Sequence, residues 1–430
     1  MASKHPQDVR LAQTAAKASN TFASNLFRVL TEGGSSNNIF FSPMSISTAL
    51  AMTFMGARGE TASQMSQVLH FNILEESVLH QSFADLSALI FRADAPYTLK
   101  AANRLFGHKG LDVLANFVDD SKKYYGASME TLDFIGDGEG SRQHINSWVE
   151  KQTANRIKDL LAAGSIDALT RLVLVNAIYF KGDWAAKFQV SKTSPEKFHI
   201  SATEDFDVPM MHQRGKFNFG RDDSVSSSIL ELPYLKNEVS MFIVLPDQVD
   251  GLVDVQKKLS QEMIDSWVTE ARMRDSPTVI VSLPKFTLEQ DFVLNDVLRK
   301  MGMSDPFDAG KADFSGMTGD KDLFISKVIH KAFLDVNEEG SEAAAATAVV
   351  MQAPTSCMPA RTLEFKADHP FLVFICDNKT GAILFIGQLC KPEGDTIMGD
   401  SPSEKGMGSG GNVLGNTCLC PPPPPPLPCP

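Results

Sequence analysis

Six strand-length runs in this chain are apolar at nearly every position: Leu172-Val-Leu-Val, Ala177-Ile-Tyr-Phe, Met241-Phe-Ile-Val-Leu, Val279-Ile-Val-Ser-Leu, Phe371-Leu-Val-Phe-Ile and Ala382-Ile-Leu-Phe-Ile. Successive side chains of a strand point to opposite faces, so such runs belong inside a large sheet covered on both sides. Hydrophobic residues are 43% of the 430, which is enough to build that core. Ahead of these runs the apolar spacing is helical: Ala23, Leu26, Phe27 and Leu30, then Leu50 to Met55, then Met65 to Leu89. Helices early and strands late, without regular alternation, predict an α+β fold. Composition breaks once, at Glu393. We therefore expect one domain over 1–392 and a Gly/Ser/Pro-rich tail over 393–430, too poor in apolar residues to fold.

Several function classes are disfavoured. The sequence has 40 Lys+Arg against 52 Asp+Glu, a formal charge of −12, and no clustered basic patch, so nucleic acid is a poor partner. No stretch approaches the ~20 apolar residues that cross a bilayer, and no membrane partner is expected. The polar first ten residues lack an apolar h-region, so a cytoplasmic location is expected. Six cysteines, at 357, 376, 390, 418, 420 and 429, read as free thiols in a reducing compartment. There is no GxSxG, HExxH, Walker or EF-hand motif, and the nine histidines lack metal spacing. No cofactor, metal or enzymatic activity is expected. Gly136-Asp-Gly-Glu-Gly-Ser reads as a turn, and His330 as a satisfied core histidine. The proline run after Cys420 reads as an idle tail or a polyproline rod for an SH3- or WW-type groove.

One segment needs its own account: Asn337-Glu-Glu-Gly-Ser-Glu-Ala-Ala-Ala-Ala-Thr-Ala-Val-Val-Met. An alanine run is ordinarily helical. Here glycine opens it, β-branched Thr347, Val349 and Val350 close it, and a loop with Pro354 and Pro359 follows. As a strand it puts Ser341, Ala343, Ala345, Thr347, Val349 and Met351 on one uncharged face that starts with very small side chains. Such a segment can slide between two existing strands while Glu342 points to water.

These residues resemble the reactive-loop hinge of inhibitory serpins. Other blocks agree from about Thr21 to Pro392. Asn38-Ile-Phe-Phe-Ser-Pro-Met-Ser-Ile-Ser resembles the shutter-region helix, and Leu174-Val-Asn-Ala-Ile-Tyr-Phe-Lys-Gly-Asp-Trp the strand leading to the breach tryptophan. Phe365-Lys-Ala-Asp-His-Pro-Phe-Leu resembles the C-terminal signature, and Gly381-Ala-Ile-Leu-Phe-Ile-Gly the last strand. The polar N-terminus and the Asn-Glu-Glu-Gly hinge resemble the intracellular, ovalbumin-type branch. The resemblance implies three sheets surrounded by about eight or nine helices, with an exposed reactive loop at about 338–362. It implies a monomeric suicide substrate: a protease cleaves the loop, is acylated, and is carried away as the loop inserts into the main sheet.

Site residues carry over by position. Glu338, Glu339, Gly340, Ser341, Glu342, Ala343, Ala344, Ala345, Ala346 and Thr347 resemble the inserting hinge. Ser42, Ser45, Asn176 and His330 resemble the shutter cluster. Lys285 and Glu338 resemble an ion pair at the breach, beside Trp184. Counting forward from Glu338 by the family's span reaches Pro354; counting back from His369 reaches Cys357-Met358, so the loop is three residues longer than in close relatives. The forward count, with Ala353-Pro354 ahead of the bond, favours Thr355–Ser356. Cys357–Met358 comes second and Arg361–Thr362, a trypsin-like site, third. The implied partners are elastase- or chymotrypsin-like serine proteases, less so trypsin-like ones, with cysteine cathepsins as a further class. The extra loop length leaves a rival, a non-inhibitory substrate, chaperone or storage-like serpin. Export by an unconventional route, which some relatives use, is compatible with the sequence.

Overall fold

The structure is a computed structural model and describes residues 6–273, 276–341 and 362–392. In chain order the elements are α1 (Pro6–Leu30), β1 (Ile39–Phe41), α2 (Pro43–Phe54), α3 (Gly59–Val68), α4 (Glu76–Ile90), β2 (Tyr97–His108), α5 (Ala115–Tyr125), β3 (Glu130–Leu132), α6 (Gly138–Gln152) and β4 (Leu172–Asp183). Then come β5 (Ser194–His199), β6 (Asp205–Lys216), β7 (Asn218–Asp222), β8 (Ser227–Pro233), β9 (Val239–Pro246), α7 (Leu252–Lys258), α8 (Gln261–Met273), β10 (Thr278–Pro284) and β11 (Phe286–Val293). The chain goes on through α9 (Asn295–Lys300), α10 (Ser315–Thr318), β12 (Ile325–Val336), β13 (Gly340–Ser341), β14 (Leu363–Lys366), β15 (Phe371–Asp377) and β16 (Ile383–Leu389).

The expected α+β architecture is present, with three sheets and ten α-helices among the described residues, one more than the upper expectation. The main sheet runs β11-β12-β4-β2-β3, with β13 on β4. A second sheet runs β1-β16-β15-β9-β8-β7, and a third β14-β10-β6-β5. Helix and strand are not split early and late as the periodicity suggested. The long β2 lies among the first helices, and α7 to α9 lie among the strands, because β2 mixes Lys, Asn and Arg into its edge and hides its alternation.

The doubly apolar run at Leu172 explains why the main sheet is central. Leu172, Leu174, Ile178 and Phe180 of β4 join the large core on one face. Val173, Val175 and Ala177 join a second cluster on the other, under Ile145 and Val149 of α6. The Gly136–Ser141 stretch, expected as a turn, begins that helix: the Asp137 side chain caps it by accepting from Gly140 N at 2.8 Å.

Two features of the main sheet position the site. β12 pairs parallel with β4, and their register ends at Phe333 opposite Tyr179. Beyond that point the chain turns back, and β13 pairs antiparallel with the top of β4, Gly340 opposite Asp183 and Ser341 opposite Gly182.

Candidate functional site

Where β12 leads into β13, the carbonyls of the turn are tied to the residues that follow β4. Trp184 N donates to Glu339 O at 2.9 Å, Phe188 N to Glu338 O at 2.9 Å, and Trp184 Nε1 to Asn337 O at 2.9 Å. Trp184 is buried and stacks on Tyr234 with ring centroids 4.5 Å apart. The Glu338 carboxylate, almost fully buried, lies 3.1 Å from Lys285 Nζ and accepts from Thr193 Oγ1 at 2.8 Å. Burial alone would discourage ionisation of Glu338; bonds from Thr193, its own backbone and Lys285 outweigh it and hold the carboxyl below its ordinary range. Lys187 makes a second pair with Glu339 at 2.9 Å. Lys285, Glu338 and Trp184 thus meet at one place.

Lower in the sheet a polar cluster crosses three strands. His330 on β12, Asn176 on β4 and Asn103 on β2 are in direct register. Ser42 and Ser45 reach it from the start of α2, where Ser42 caps the helix by accepting from Ser45 N at 3.3 Å and Pro43 occupies the first turn. His330 Nε2 accepts from Ser42 N at 3.0 Å, so the ring proton resides on Nδ1, which donates to Asn176 Oδ1. That leaves Asn176 Nδ2 to donate to Ser45 O at 3.1 Å, to Ser45 Oγ at 2.6 Å, and to Asn103 Oδ1. His330 is fully buried, and desolvation pushes its pKa down to about 3, so it is neutral.

Ser42, Ser45, Asn176 and His330 are therefore brought together. Asn103 was missed in the sequence: its signal is its register opposite Asn176, which needs the strand pairing to be seen. Gly340 and the backbone of Ser341 are placed on β4. Glu342, Ala343, Ala344, Ala345, Ala346, Thr347, Pro354, Thr355, Ser356, Cys357 and Met358 lie outside the described residues. Among the described cysteines, Cys376 and Cys390 are free and buried, and burial pushes both thiols up to about 12. Among the described residues no group of His, Cys, Asp and Glu could hold a metal ion, and no helix is long and apolar enough to cross a membrane.

The chain is similar to known proteins over most of its described residues. A family profile described as Serpin (serine protease inhibitor) matches residues 17–392. Serpin B6 of Pongo abelii is 47% identical over 378 residues, covering 88% of this chain and 99% of that one. The leukocyte elastase inhibitor of Homo sapiens is 45% identical over 379 residues, covering 87% and 98%. The crystal structure of uncleaved ovalbumin superposes with a TM-score of 0.79 at 32% identity, covering 88% of this chain and all of that one. The chain belongs to the serpin family, in its ovalbumin-type branch.

Proposed function

We propose that the protein inhibits serine proteases as a suicide substrate whose cleaved loop inserts between β4 and β12. The observation that carries this reading is the seat of Gly340 and Ser341 on β4, just above the point where β12 leaves it. The register makes the inserted state explicit. Continued down β4, it sets Ala343 opposite Phe180, Thr347 opposite Asn176 and Met351 opposite Leu172. The odd-numbered residues then face the main core, whose neighbours on β12 are Val336, Leu334, Ala332, His330 and Val328. Ala344 falls between Tyr179 and Phe333, whose rings lie 6.0 Å apart before the strands part.

Thr347 falls between Asn176 and His330, whose hydrogen bond must break as the strands part. A hydroxyl can accept from His330 Nδ1 and donate to Asn176 Oδ1, so no buried group is orphaned. About a dozen new backbone hydrogen bonds at ~1 kcal/mol each supply on the order of 10 kcal/mol. That rivals the whole stability of a typical domain, ~5–15 kcal/mol, and can distort a trapped enzyme. Strain released by loop insertion is a known switching class for which serpins are the standard example.

The seat ends at Met351, so an acyl bond at Thr355 would hang about four residues, roughly 13 Å, below it. A bond at Cys357 would hang about six residues, roughly 20 Å, below it and leave slack. Pro354 is itself a poor residue to be cut after, and Thr355–Ser356 remains the preferred bond. The leukocyte elastase inhibitors among the relatives favour an elastase-like target. We place the action in the cytosol, where thiols such as Cys376 and Cys390 stay reduced. We take 1–392 as the working domain, acting as a monomer. Incubation with elastase, chymotrypsin, trypsin and a cathepsin, read by denaturing gel and by mass spectrometry of the cut loop, tests the reading. A stable complex supports it; clean cleavage by all four, with no complex, gives the non-inhibitory serpin.

A further inference from the structure

The C-terminal ends of α1, α3 and α9 line a cavity of about 570 Å³ that takes no part in the seat of the loop. That size admits a small organic molecule. Val29 of α1, Val68 of α3 and Met301, just past α9, give it apolar walls. Its titratable groups are Arg28, Glu32, His70 and Lys300. Positive side chains near helix C-termini are ordinary, because they answer the negative end of the dipole. That accounts for Arg28 and Lys300 and leaves His70 to be explained.

His70 follows α3 with a φ of +56° and a ψ of +32°, the left-handed conformation that glycine commonly takes just past a helix. A histidine is strained there, and such strain persists where the surroundings fix the residue. The fixing contact comes from α1. Arg28 Nη2 donates to Asn25 Oδ1 at 2.8 Å, so the Asn25 nitrogen faces His70 Nε2, also at 2.8 Å, and donates to it. Burial lowers the His70 pKa from 6.5, so the ring is neutral at physiological pH and its one proton resides on Nδ1. Nδ1 has no partner among the described residues, and neither have Nε and Nη1 of Arg28. Glu32 is paired with Lys300, so its charge is already answered. The cavity thus offers a guanidinium and an imidazole N–H, both lacking acceptors, beside apolar walls.

We propose that this cavity binds a short aliphatic monocarboxylate, with its carboxylate on Arg28 and His70 Nδ1 and its chain against Val29, Val68 and Met301. A carboxylate matches the guanidinium fork. Its single charge is met by the one unpaired cation among the described lining residues, and a larger negative charge is disfavoured where three helix C-termini meet. The aliphatic body follows from the walls, where the described residues include no phenyl, phenol or indole ring. This binding is independent of the inhibitory reading.

The test is a calorimetric titration of hexanoate into the uncleaved full chain, with acetate and hexan-1-ol as controls. Wild type shows one saturable site for hexanoate and none for either control. Arg28→Gln weakens hexanoate binding by about tenfold or more. His70→Gly weakens it by a similar factor while the melting temperature holds, because glycine takes the left-handed conformation without strain. A lower melting temperature for His70→Gly with hexanoate binding unchanged gives His70 a purely structural role and overturns the site. No saturable heat with hexanoate, equal binding of acetate or hexan-1-ol, or undiminished binding by Arg28→Gln overturns it as well.

Discussion

A β-carbon on Gly340 would stand 2.1 Å from the carbonyl oxygen of Gly182. Gly340 also has a φ of +143°, which side-chain-bearing residues rarely adopt. The first step of the loop rests on β4 because this residue has no side chain. Gly340→Val therefore unseats β13 and costs about 1–3 kcal/mol. Denaturant melts should register the loss, and gels should show the loop cut without a complex.

Ser341→Arg places a charge at the first position to be inserted, where burial is strongly unfavourable. The variant should be cleaved at the wild-type rate yet release its protease. A variant that forms denaturant-stable complexes as well as wild type contradicts insertion.

Thr347→Val keeps the shape at the polar row but removes the hydroxyl. His330 Nδ1 and Asn176 Oδ1 would then be left unbonded after insertion, at about 1–3 kcal/mol each. The cleaved form should lose stability while the intact form does not, and Thr347→Ser should restore it. Differential scanning calorimetry of both forms makes the comparison.

His330 gives the intact protein an acid sensitivity. Its pKa is lowered to about 3 in the fold against 6.5 in the unfolded chain, so between those values the unfolded state binds the extra proton. Stability contributed by neutral His330 is complete above about pH 6.5 and falls as pH drops, by about 1.4 kcal/mol per unit. His330→Gln should flatten this slope in denaturant titrations between pH 7 and pH 4.5.

Glu338 acts in a lower window. Its carboxyl is held below the ordinary range, so its contribution is present above the unfolded pKa and is lost as pH falls through the folded one. Glu338→Gln should remove the part of the acid transition lying below the ordinary carboxylate pKa, and proteolysis of the 337–341 turn at neutral pH should quicken.

What was legible in the sequence follows from how local each signal is. The apolar runs at Leu172, Met241, Phe371 and Ala382 announce buried strands by themselves, and β4, β9, β15 and β16 follow them. Of the expected hinge, the glycine alone announces the pairing of Gly340 and Ser341 with β4, while Glu342 to Thr347 lie outside the described residues. Asn103 was not legible, because a lone asparagine acquires meaning only opposite Asn176. The polar helices α5 and α6 were also missed. Their buried sets are small (Phe117 and Ser121 on α5; Ser141, Ile145, Asn146 and Val149 on α6), so weak periodicity was masked by the charged residues around it. Asp137 looked like turn chemistry and is a helix cap, a role that the same residue types serve.

The most direct test is the melting temperature of the chain before and after a single cut in 352–358 by an elastase-like protease. A dozen added hydrogen bonds across β4 and β12 predict a rise of about 10 °C or more. An unchanged or lower melting temperature would mean that the severed segment stays outside the sheet, and would contradict the account.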